Sequence, residues 1–232
     1  MKKNTNSNSY TIIYASVMVI VVAFILAFTS AALRERQEKN ERLDKMKQIL
    51  TALRIQAKDN NEAEALFYEK IKKDQIINSV GEVLAEEGGF EVEVKKELAK
   101  SLDKRQLPLY LCDIDGETKY VLPLYGAGLW GAIWGYVALD EDKNTVYGVY
   151  FSHESETPGL GAEIADHQFQ SHFQGKTLMK GDEIGLSVVK AGRVSDEAYQ
   201  VDGITGGTIT SNGVDDMLKN CLSQYHDFLT AK

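Results

Sequence analysis

The chain is poor in the side chains from which disulfide frameworks and metal centres are built. Its 232 residues include two cysteines and four histidines. Cys112 and Cys221 are too few for a disulfide framework, although they could pair with each other in an oxidising compartment. The alternative for Cys221 is a small core residue, because it lies on an apolar helical stripe. Two cysteines and scattered histidines predict neither a zinc nor an iron–sulfur site.

An excess of positive charge is also lacking. The chain has 26 Lys and Arg against 34 Asp and Glu, a formal net charge of -8. Proteins that bind nucleic acid need clustered cations to neutralise phosphates, so we expect no nucleic-acid partner. Neither the G-x-G-x-x-G fingerprint nor a Gly-Lys-Ser/Thr phosphate loop is present. No Ser–His–Asp or Cys–His arrangement stands out, so we predict no catalytic residue in this chain itself.

Charge of either sign is absent from one long segment near the N-terminus. Residues 1–9 are polar, whereas residues 10–33 are apolar and uncharged. About 24 such residues are enough to cross a bilayer as one helix. A signal peptide has a shorter apolar region, although the small residues from Thr29 to Ala32 keep cleavage there as an alternative. We predict a transmembrane helix over residues 10–33.

The charges beside this segment bear on its orientation. Lys2 and Lys3 precede it, and several Lys and Arg between Arg34 and Lys47 follow it. Counted alone, these cations would place the following domain in the cytoplasm. They are interleaved with Glu and Asp, however, and the rule weakens where a whole domain is translocated. Charge alone therefore does not decide the orientation.

Beyond residue 33 the sequence predicts helices, then strands, then a helix. Apolar residues from Leu43 to Leu53 recur at helical spacing, so the membrane helix continues or restarts as an amphipathic connecting helix within residues 34–60. Asp59-Asn60-Asn61 ends it. Helices are expected over 62–73 and 162–173, and strands over 90–94, 107–114, 119–124, 131–140, 145–152, 187–190 and 198–201. This order predicts an α+β fold, with one antiparallel-sheet domain flanked by helices over residues 61–232.

The last helix is predicted from an apolar stripe. Residues from Val214 to Leu229 repeat at three- and four-residue intervals. Ser211 or Asn212 is the expected N-cap. Asp215 and Asp216 are expected in the first turn, where the helix dipole favours negative charge.

A glycine- and threonine-rich run, DGITGGTITSN at residues 202–212, precedes this stripe. Gly206 and Gly207 allow a sharp turn and a close approach of a ligand to the backbone. Helix N-termini that follow such turns bind phosphate, because free N–H groups point at it. On spacing alone, a glycine turn before a capped helix is the simpler explanation of the run.

The run resembles the Asp-x-x-Ser/Thr-Gly-Ala-Thr motif of the covalent FMN-binding domain family. In that family the last Thr is esterified to the phosphate of FMN by a flavin transferase that uses FAD. The resemblance implies one covalent FMN, attached to Thr208. Gly207 stands where the family usually has Ala. The surrounding cofactor-binding residues that the resemblance implies are Asp202, Thr205, Gly206, Gly207 and Thr210.

Two further glycine-rich segments are candidates for contact with the flavin. In LPLYGAGLWG at 122–131, Leu129 and Trp130 can cover one side of an isoalloxazine ring, although Trp130 taken alone is the more ordinary core residue. In HESETPGLG at 153–161, backbone N–H groups can meet the ring's polar atoms, although a Pro-Gly turn is the simpler interpretation. His153 is predicted to be a loop residue, not a metal ligand. The predicted cofactor-binding residues of the two segments are Leu129, Trp130, Glu156, Thr157, Gly159, Leu160 and Gly161.

These three segments, in this order and behind a membrane helix, are similar to the family of C subunits of the Na+-translocating NADH:quinone oxidoreductase. The segment from Val189 to Gly192 also resembles a family segment whose Lys lies near the flavin. Lys190 would then stabilise reduced, anionic flavin. A solvated surface charge is the equal alternative for Lys190.

The resemblance implies an electron carrier inside a membrane redox complex. Electrons from NADH would reach its FMN from an iron–sulfur centre elsewhere and pass to a second covalent FMN on a neighbouring subunit. Quinone would be the final acceptor, and sodium pumping would belong to the whole complex. The implied partners are the other subunits and a flavin transferase. The implied location is the bacterial inner membrane, crossed once, with the soluble domain on the periplasmic side, against the orientation that charge suggests.

Two alternatives remain open. One is the G subunit of the Rnf complex, which shares the motif and the topology but transfers electrons between ferredoxin and NAD. The other is a membrane-anchored binding or scaffold module without a redox role, in which Thr208 is only a turn residue.

Overall fold

The computed structural model describes residues 7–231. The chain divides into two compact units, Met1–Asp44 and Lys45–Lys232. Helix α1 (Asn8–Ala52) is continuous, so the membrane helix continues into the connecting helix instead of restarting. Among the described residues, α1 alone is long and apolar enough to cross a membrane, with a mean hydropathy of 2.7 over its most apolar window. Its apolar side chains, such as Phe24 and Phe28, are exposed.

The second unit is built on an antiparallel sheet. The strands of the chain are β1 (Ile71–Ile77), β2 (Val83–Ala85), β3 (Leu107–Ile114), β4 (Glu117–Ala127), β5 (Ala132–Leu139), β6 (Val146–His153), β7 (Met179–Lys180), β8 (Glu183–Ile184), β9 (Ser187–Val189) and β10 (Gln200–Asp202). The main sheet has six strands in the order β2-β1-β3-β4-β5-β6. Strands β7 and β8 form a small antiparallel pair, and β9 and β10 form a parallel one. The predicted α+β class with an antiparallel sheet is confirmed.

Short helices flank this sheet. They are α2 (Asn60–Lys70), α3 (Val94–Leu98), α4 (His167–Ser171), α5 (Thr208–Leu222) and α6 (His226–Thr230), with 3-10 turns at Gly89–Glu91, Leu102–Lys104, Gly161–Ala165 and Ser223–Tyr225. The helix expected over 162–173 is therefore a 3-10 turn and a short helix. The last helix is likewise interrupted at Ser223, although its apolar stripe is buried on both sides of the break.

The hairpin between β3 and β4 is confirmed. Asp115 and Gly116 both have positive φ, 55° and 87°, and Ile114 pairs with Glu117. A two-residue turn with both residues in the left-handed region matches the twist of the flanking strands.

The expected strand over residues 90–94 is wrong. These residues form the 3-10 turn Gly89–Glu91 and the start of α3. The carboxylate of Asp74 accepts hydrogen bonds from the N–H groups of Gly88 and Phe90, at 3.2 and 2.9 Å. These bonds hold the segment as a turn, and Phe90 packs edge-on against Phe67. Alternation of apolar and acidic residues did not reveal this tertiary contact.

The expected helix over residues 62–73 is displaced. Helix α2 ends at Lys70, and its N-cap Asp59 accepts from the N–H groups of Asn61 and Glu62. Residues 71–73 already belong to β1, which the sequence analysis missed. The first residues of β1 are mostly charged, so they lack the apolar alternation that predicts a strand.

Helix α5 packs on β4 through its apolar stripe, whose buried members are Val214, Met217, Leu218, Cys221 and Leu222. The Cys221 Sγ accepts a hydrogen bond from the Tyr125 N–H at 3.4 Å. Cys112 and Cys221 are both buried and both free. Burial raises the pKa of each thiol, so both are held protonated.

The predicted start of the last helix is wrong by about one turn. Helix α5 begins at Thr208 with Gly207 as its N-cap, and its first turn contains no acidic residue. Ser211 and Asn212 lie inside the helix. The Ser211 Oγ accepts instead from the Ile204 N–H at 2.9 Å, and Asp215 Oδ1 accepts from the Val188 N–H at 2.9 Å. These side chains satisfy neighbouring backbone groups, so they bind α5 to the loop before it and to β9.

We expect Asp215→Ala to lower the free energy of unfolding by about 1–3 kcal/mol, because it leaves the buried N–H of Val188 without its acceptor. Asp215→Asn keeps that oxygen and should change stability far less. The measurement is denaturant unfolding of the full chain in detergent. Asp215 also pairs with Lys219 at 2.6 Å, so Lys219→Ala serves as the control for the ion pair. Equal losses in Asp215→Ala and Lys219→Ala would contradict this account.

Candidate functional site

The three glycine-rich segments meet at the N-terminal end of α5. The Glu156 carboxylate accepts from the Trp130 N–H at 2.8 Å and from the Thr210 hydroxyl at 2.7 Å. Gly161 lies against the same groups, since a Cβ there would stand 2.3 Å from Thr210 Oγ1. A Cβ at Gly206 would similarly stand 2.7 Å from a Leu160 methyl carbon. Residues far apart in sequence thus form one surface around the start of α5.

Glu156 is the most buried charged group of this surface, with 5% of its area exposed. Burial acts to raise its pKa, but hydrogen bonds from the Thr210 hydroxyl and from the N–H groups of Trp130 and Leu129 outweigh burial, and the pKa lies below its usual range. The side chain is therefore ionised at neutral pH. The Glu156 N–H donates to His153 Nδ1 at 3.2 Å. His153 is the last residue of β6 and not the loop residue that was expected, and its ring supports the loop that follows.

A tight turn delivers Thr208 to the surface. The Gly207 N–H donates to the Ile204 carbonyl at 3.0 Å, and Gly206 at the third position has a φ of 80°. That geometry is typical of a type II turn, which requires glycine or a similar residue there. Thr205, at the second position of the turn, is exposed. Thr208 follows as the first, exposed residue of α5.

The N-terminus of α5 suits an anion. Its N-cap is a glycine without a side-chain hydrogen bond, and no acidic residue lies in the first turn. The first N–H groups of a helix have no partner within the helix, and the helix dipole places partial positive charge there. A phosphate on the Thr208 hydroxyl would meet both.

Four large apolar side chains are exposed around this end of α5, and we call them the apolar patch. They are Leu129 (47% exposed), Trp130 (66%), Leu160 (42%) and Ile209 (58%). The core interpretation of Trp130 is therefore wrong. Exposed apolar side chains grouped beside a polar site are typical of surfaces that receive a ligand or a partner. The patch is apolar enough for a flat aromatic ring to pack on it.

Asp202 pairs with Val189 where β10 meets β9, and Lys190 is the next residue after Val189. Asp202 Oδ1 accepts from the N–H groups of Gly192 and Arg193, at 2.7 and 3.3 Å. Asp202 thus holds the turn that carries Lys190, whose side chain is exposed. The hydrogen bonds of the Asp202 carboxylate within residues 7–231 go to this turn and not to Thr208.

The loop that contains Thr157 uses its own backbone groups. The Thr157 carbonyl accepts from the N–H groups of Leu160 and Ala162, both at 3.1 Å. The Leu160 N–H is thus engaged inside the loop, so it is not among the backbone N–H groups of this segment that are free to meet the polar atoms of a flavin ring. Gly159 has a φ of 75°, which its loop conformation requires.

Sequence reasoning missed one residue of this surface and one buried glycine of α5. Ile209 belongs to the apolar patch, but beside Thr208 it reads as an ordinary helix residue. Gly213 lies in the middle of α5, where a Cβ would stand 2.4 Å from the Ala127 carbonyl oxygen. A glycine inside a predicted helix indicates that another part of the backbone approaches closely, so Gly213 could have been predicted from the sequence.

Concave sites exist elsewhere on the second unit. A cavity of about 460 Å³ is lined by Arg54, Tyr147, His167 and polar neighbours, and one of about 290 Å³ by Lys95, Trp134 and other residues. Within residues 7–231, no group of three His, Cys, Asp or Glu side chains could hold a metal ion.

Comparisons with known proteins agree on one family. Residues 128–223 match the model of the FMN-binding domain. The chain is 32% identical to the C subunit of the Na(+)-translocating NADH-quinone reductase of Haemophilus ducreyi, over 94% of this chain and 91% of that protein. It is 30% identical to the subunit of the same name from Pseudomonas aeruginosa, over 93% and 91%. The crystal structure of the Parabacteroides distasonis protein of that name superposes with a TM-score of 0.80 at 44% identity, over 86% of this chain and 98% of that one. Shewanella oneidensis NqrC gives 0.69 at 26%, over 83% and 100%.

Alanine substitutions at Gly207, the N-cap of α5, and at Gly213, inside α5, should differ in their cost to stability, because a new Cβ is more crowded at Gly213. A Cβ at Gly207 would stand 3.1 Å from the Ile204 side chain and 3.3 Å from the Gly161 backbone nitrogen, a tight contact that a small shift of Ile204 relieves, so we expect Gly207→Ala to destabilise by about 1 kcal/mol or less. A Cβ at Gly213 would overlap a backbone oxygen, so Gly213→Ala should destabilise by about 1–3 kcal/mol. Denaturant unfolding of both variants checks this. Helix propensity alone favours Ala by about 1 kcal/mol, so a stabilised Gly213→Ala would refute the close approach.

Proposed function

The chain belongs to the family of C subunits of the Na(+)-translocating NADH-quinone reductase, which are components of an oxidoreductase complex, and on that basis we propose that it carries electrons through one FMN attached covalently to Thr208. The observation that carries this proposal is the exposed Thr208 at an uncapped helix N-terminus beside the apolar patch. The phosphate of FMN needs hydrogen-bond donors and the isoalloxazine ring needs an apolar surface. The N-terminus of α5 supplies the donors, and the apolar patch beside it supplies the surface.

The residues at this surface fit FMN part by part. The N–H groups at the start of α5 would hold the phosphate, and Thr208 Oγ1 would be its ester oxygen. Leu129, Trp130 and Leu160 would pack on the ring. Thr205, Gly206 and Gly207 would shape the turn that presents Thr208. Gly159 would let the ring approach the loop backbone, and Thr157 would donate a hydrogen bond to the ring. Gly161 would act behind this surface, where it leaves room for Glu156 and Thr210.

One charged residue would act on the flavin, and a second would hold that residue in place. Lys190, held by the turn that Asp202 organises, would stabilise a reduced, anionic ring. Bound FMN supplies one- and two-electron transfer, which suits a relay between centres that differ in electron number. The chain's own part is to retain and orient the flavin.

The proposed partners are the other subunits of the complex and the flavin transferase that modifies Thr208. The relatives described above are named for the sodium-translocating reductase, which favours that complex over the Rnf complex. A scaffold module without a redox role would need neither an exposed Thr208 nor an uncapped helix start. We therefore place the electron-carrying function first.

Thr208 variants test the attachment directly. The chain is produced with a flavin transferase, and the modified peptide is mapped by mass spectrometry. We expect one FMN on Thr208, none in Thr208→Ala, and retention in Thr208→Ser, because serine keeps the attacking hydroxyl. Thr205→Ala is the matched control from the same turn and should remain modified. FMN on Thr205, or an unmodified wild-type chain in cells that flavinylate other proteins, would overturn the proposal.

We also propose that α1 anchors the chain in the bacterial inner membrane with the second unit on the periplasmic side. The native thiols are buried, with 2% of each residue exposed. A cysteine introduced at the surface is therefore the reactive thiol whose labelling shows on which side of the membrane the second unit lies. Lys104 is exposed and distant in sequence from the proposed site. We expect Lys104→Cys to react with a membrane-impermeant maleimide in cells whose outer membrane is permeabilised. Labelling only after the inner membrane is lysed would place the domain in the cytoplasm, as the flanking charges suggest.

A further inference from the structure

We propose that Glu156 is the positioning residue of this surface: it fixes the Leu129–Trp130 segment and the first turn of α5 in one arrangement, without itself contacting FMN. The inference rests on the proposed function for its consequence, but its structural part concerns the unmodified chain. Sequence resemblance assigned Glu156 to flavin binding. Its contacts instead face the protein.

Each carboxylate oxygen of Glu156 serves a different segment. Oε1 accepts from the Trp130 N–H at 2.8 Å, and Oε2 accepts from the Thr210 hydroxyl at 2.7 Å. The Leu129 N–H also donates to this carboxylate. A carboxylate is acceptor-only and can take several donors at once, and hydrogen bonds to an ionised acceptor are about twice as strong as neutral ones. One side chain therefore joins its own loop to two other segments of the chain.

Glycines enclose the carboxylate on two sides. A Cβ at Gly128 would stand 2.4 Å from Oε1, and a Cβ at Gly161 would stand 2.5 Å from Oε2. The backbone therefore approaches the carboxylate more closely than any residue with a Cβ would allow. This enclosure restricts the side chain to one orientation, so its hydrogen bonds define where Trp130 and Thr210 lie.

The threonines of the motif differ in exposure and in the hydrogen bonds of their hydroxyls. Thr210 is 1% exposed, and its hydroxyl is bonded to Glu156. Thr205 and Thr208 are exposed, and their hydroxyls donate no hydrogen bond within the described part of the chain. Glu156 thus removes Thr210 from the hydroxyls that a flavin transferase can reach and holds the turn before it in place. Preorganisation of this kind lowers the barrier to modification at Thr208.

The test measures two properties of the full-length chain in detergent. The first is the rate at which flavin transferase modifies Thr208 with FAD: the ester bond from Thr208 Oγ1 to the FMN phosphorus forms, the pyrophosphate bond of FAD breaks, and AMP leaves. The second is the fluorescence anisotropy of Trp130 before modification, with Trp134→Phe present throughout so that one tryptophan reports. The variants are Glu156→Ala, Glu156→Gln, Thr210→Val and the double variant of Glu156→Ala with Thr210→Val. Glu163→Ala, an exposed carboxylate just after the same loop, is the matched control.

We expect Glu156→Ala to slow flavinylation by about tenfold or more, equivalent to about 1.4 kcal/mol in the barrier, and to lower the anisotropy of Trp130. Glu156→Gln should stay within about threefold of the unsubstituted chain, because its amide oxygen still accepts and its NH2 can donate to the Thr210 oxygen. Thr210→Val should slow the reaction with a smaller effect on Trp130. The double variant should be no slower than Glu156→Ala, since the two residues share one interaction.

An unchanged rate and anisotropy in Glu156→Ala would overturn the inference, and so would a Glu156→Gln variant as slow as Glu156→Ala. Losses of equal size in Glu163→Ala would overturn it as well. If Glu156→Ala does not fold, Thr210→Val decides, because it removes one hydroxyl and keeps the side-chain shape. If the unsubstituted chain is never modified at Thr208, the proposed function fails, and the anisotropy of Trp130 still decides the role of Glu156.

Discussion

A buried carboxylate requires hydrogen-bond donors, and the donors to Glu156 come from the segments that surround Thr208. Their bonds to Glu156 hold these segments together. Burial of an unpaired charge is strongly unfavourable, so the ionised side chain lies below the surface only where several hydrogen bonds meet it. Here the donors come from the Leu129–Trp130 segment and from the first turn of α5. The same requirement explains Gly128 and Gly161, because a Cβ at either position would occupy the space of the carboxylate oxygens.

Helix α5 is held at its start by side chains that would cap an ordinary helix. Ser211 and Asp215 accept from backbone groups of the preceding loop and of β9. The N-cap position itself is Gly207, so the N-terminus of α5 has no side-chain cap, and its first turn lacks acidic residues. A helix end of this kind is open to a ligand phosphate. The polar residues of the motif thus support the turn, while the exposed hydroxyl of Thr208 remains for the modification that we propose.

Much of this fold could be predicted from the sequence, because local patterns decided it. The Asp115–Gly116 hairpin, the apolar stripe of α5 and the apolar run of α1 each depend on residues a few positions apart. The errors share another cause. Asp74 folds residues 88–90 into a turn from 14 to 16 positions away, and Asp215 turns to Val188 instead of serving the helix dipole. Such tertiary hydrogen bonds override local propensity and leave no periodic signal.

The proposed site was predicted from motif resemblance, not from the physics of the residues. Spacing alone left Thr208 as a turn residue and Trp130 as a core residue, and only the fold reveals that Trp130 is exposed beside the start of α5. A structure of the membrane complex purified from its native host tests the central claim most directly. We predict continuous density from Thr208 Oγ1 to the FMN phosphate, with the ring against Trp130 and Leu160. A flavin bound elsewhere on the domain, with an unmodified Thr208, would contradict it.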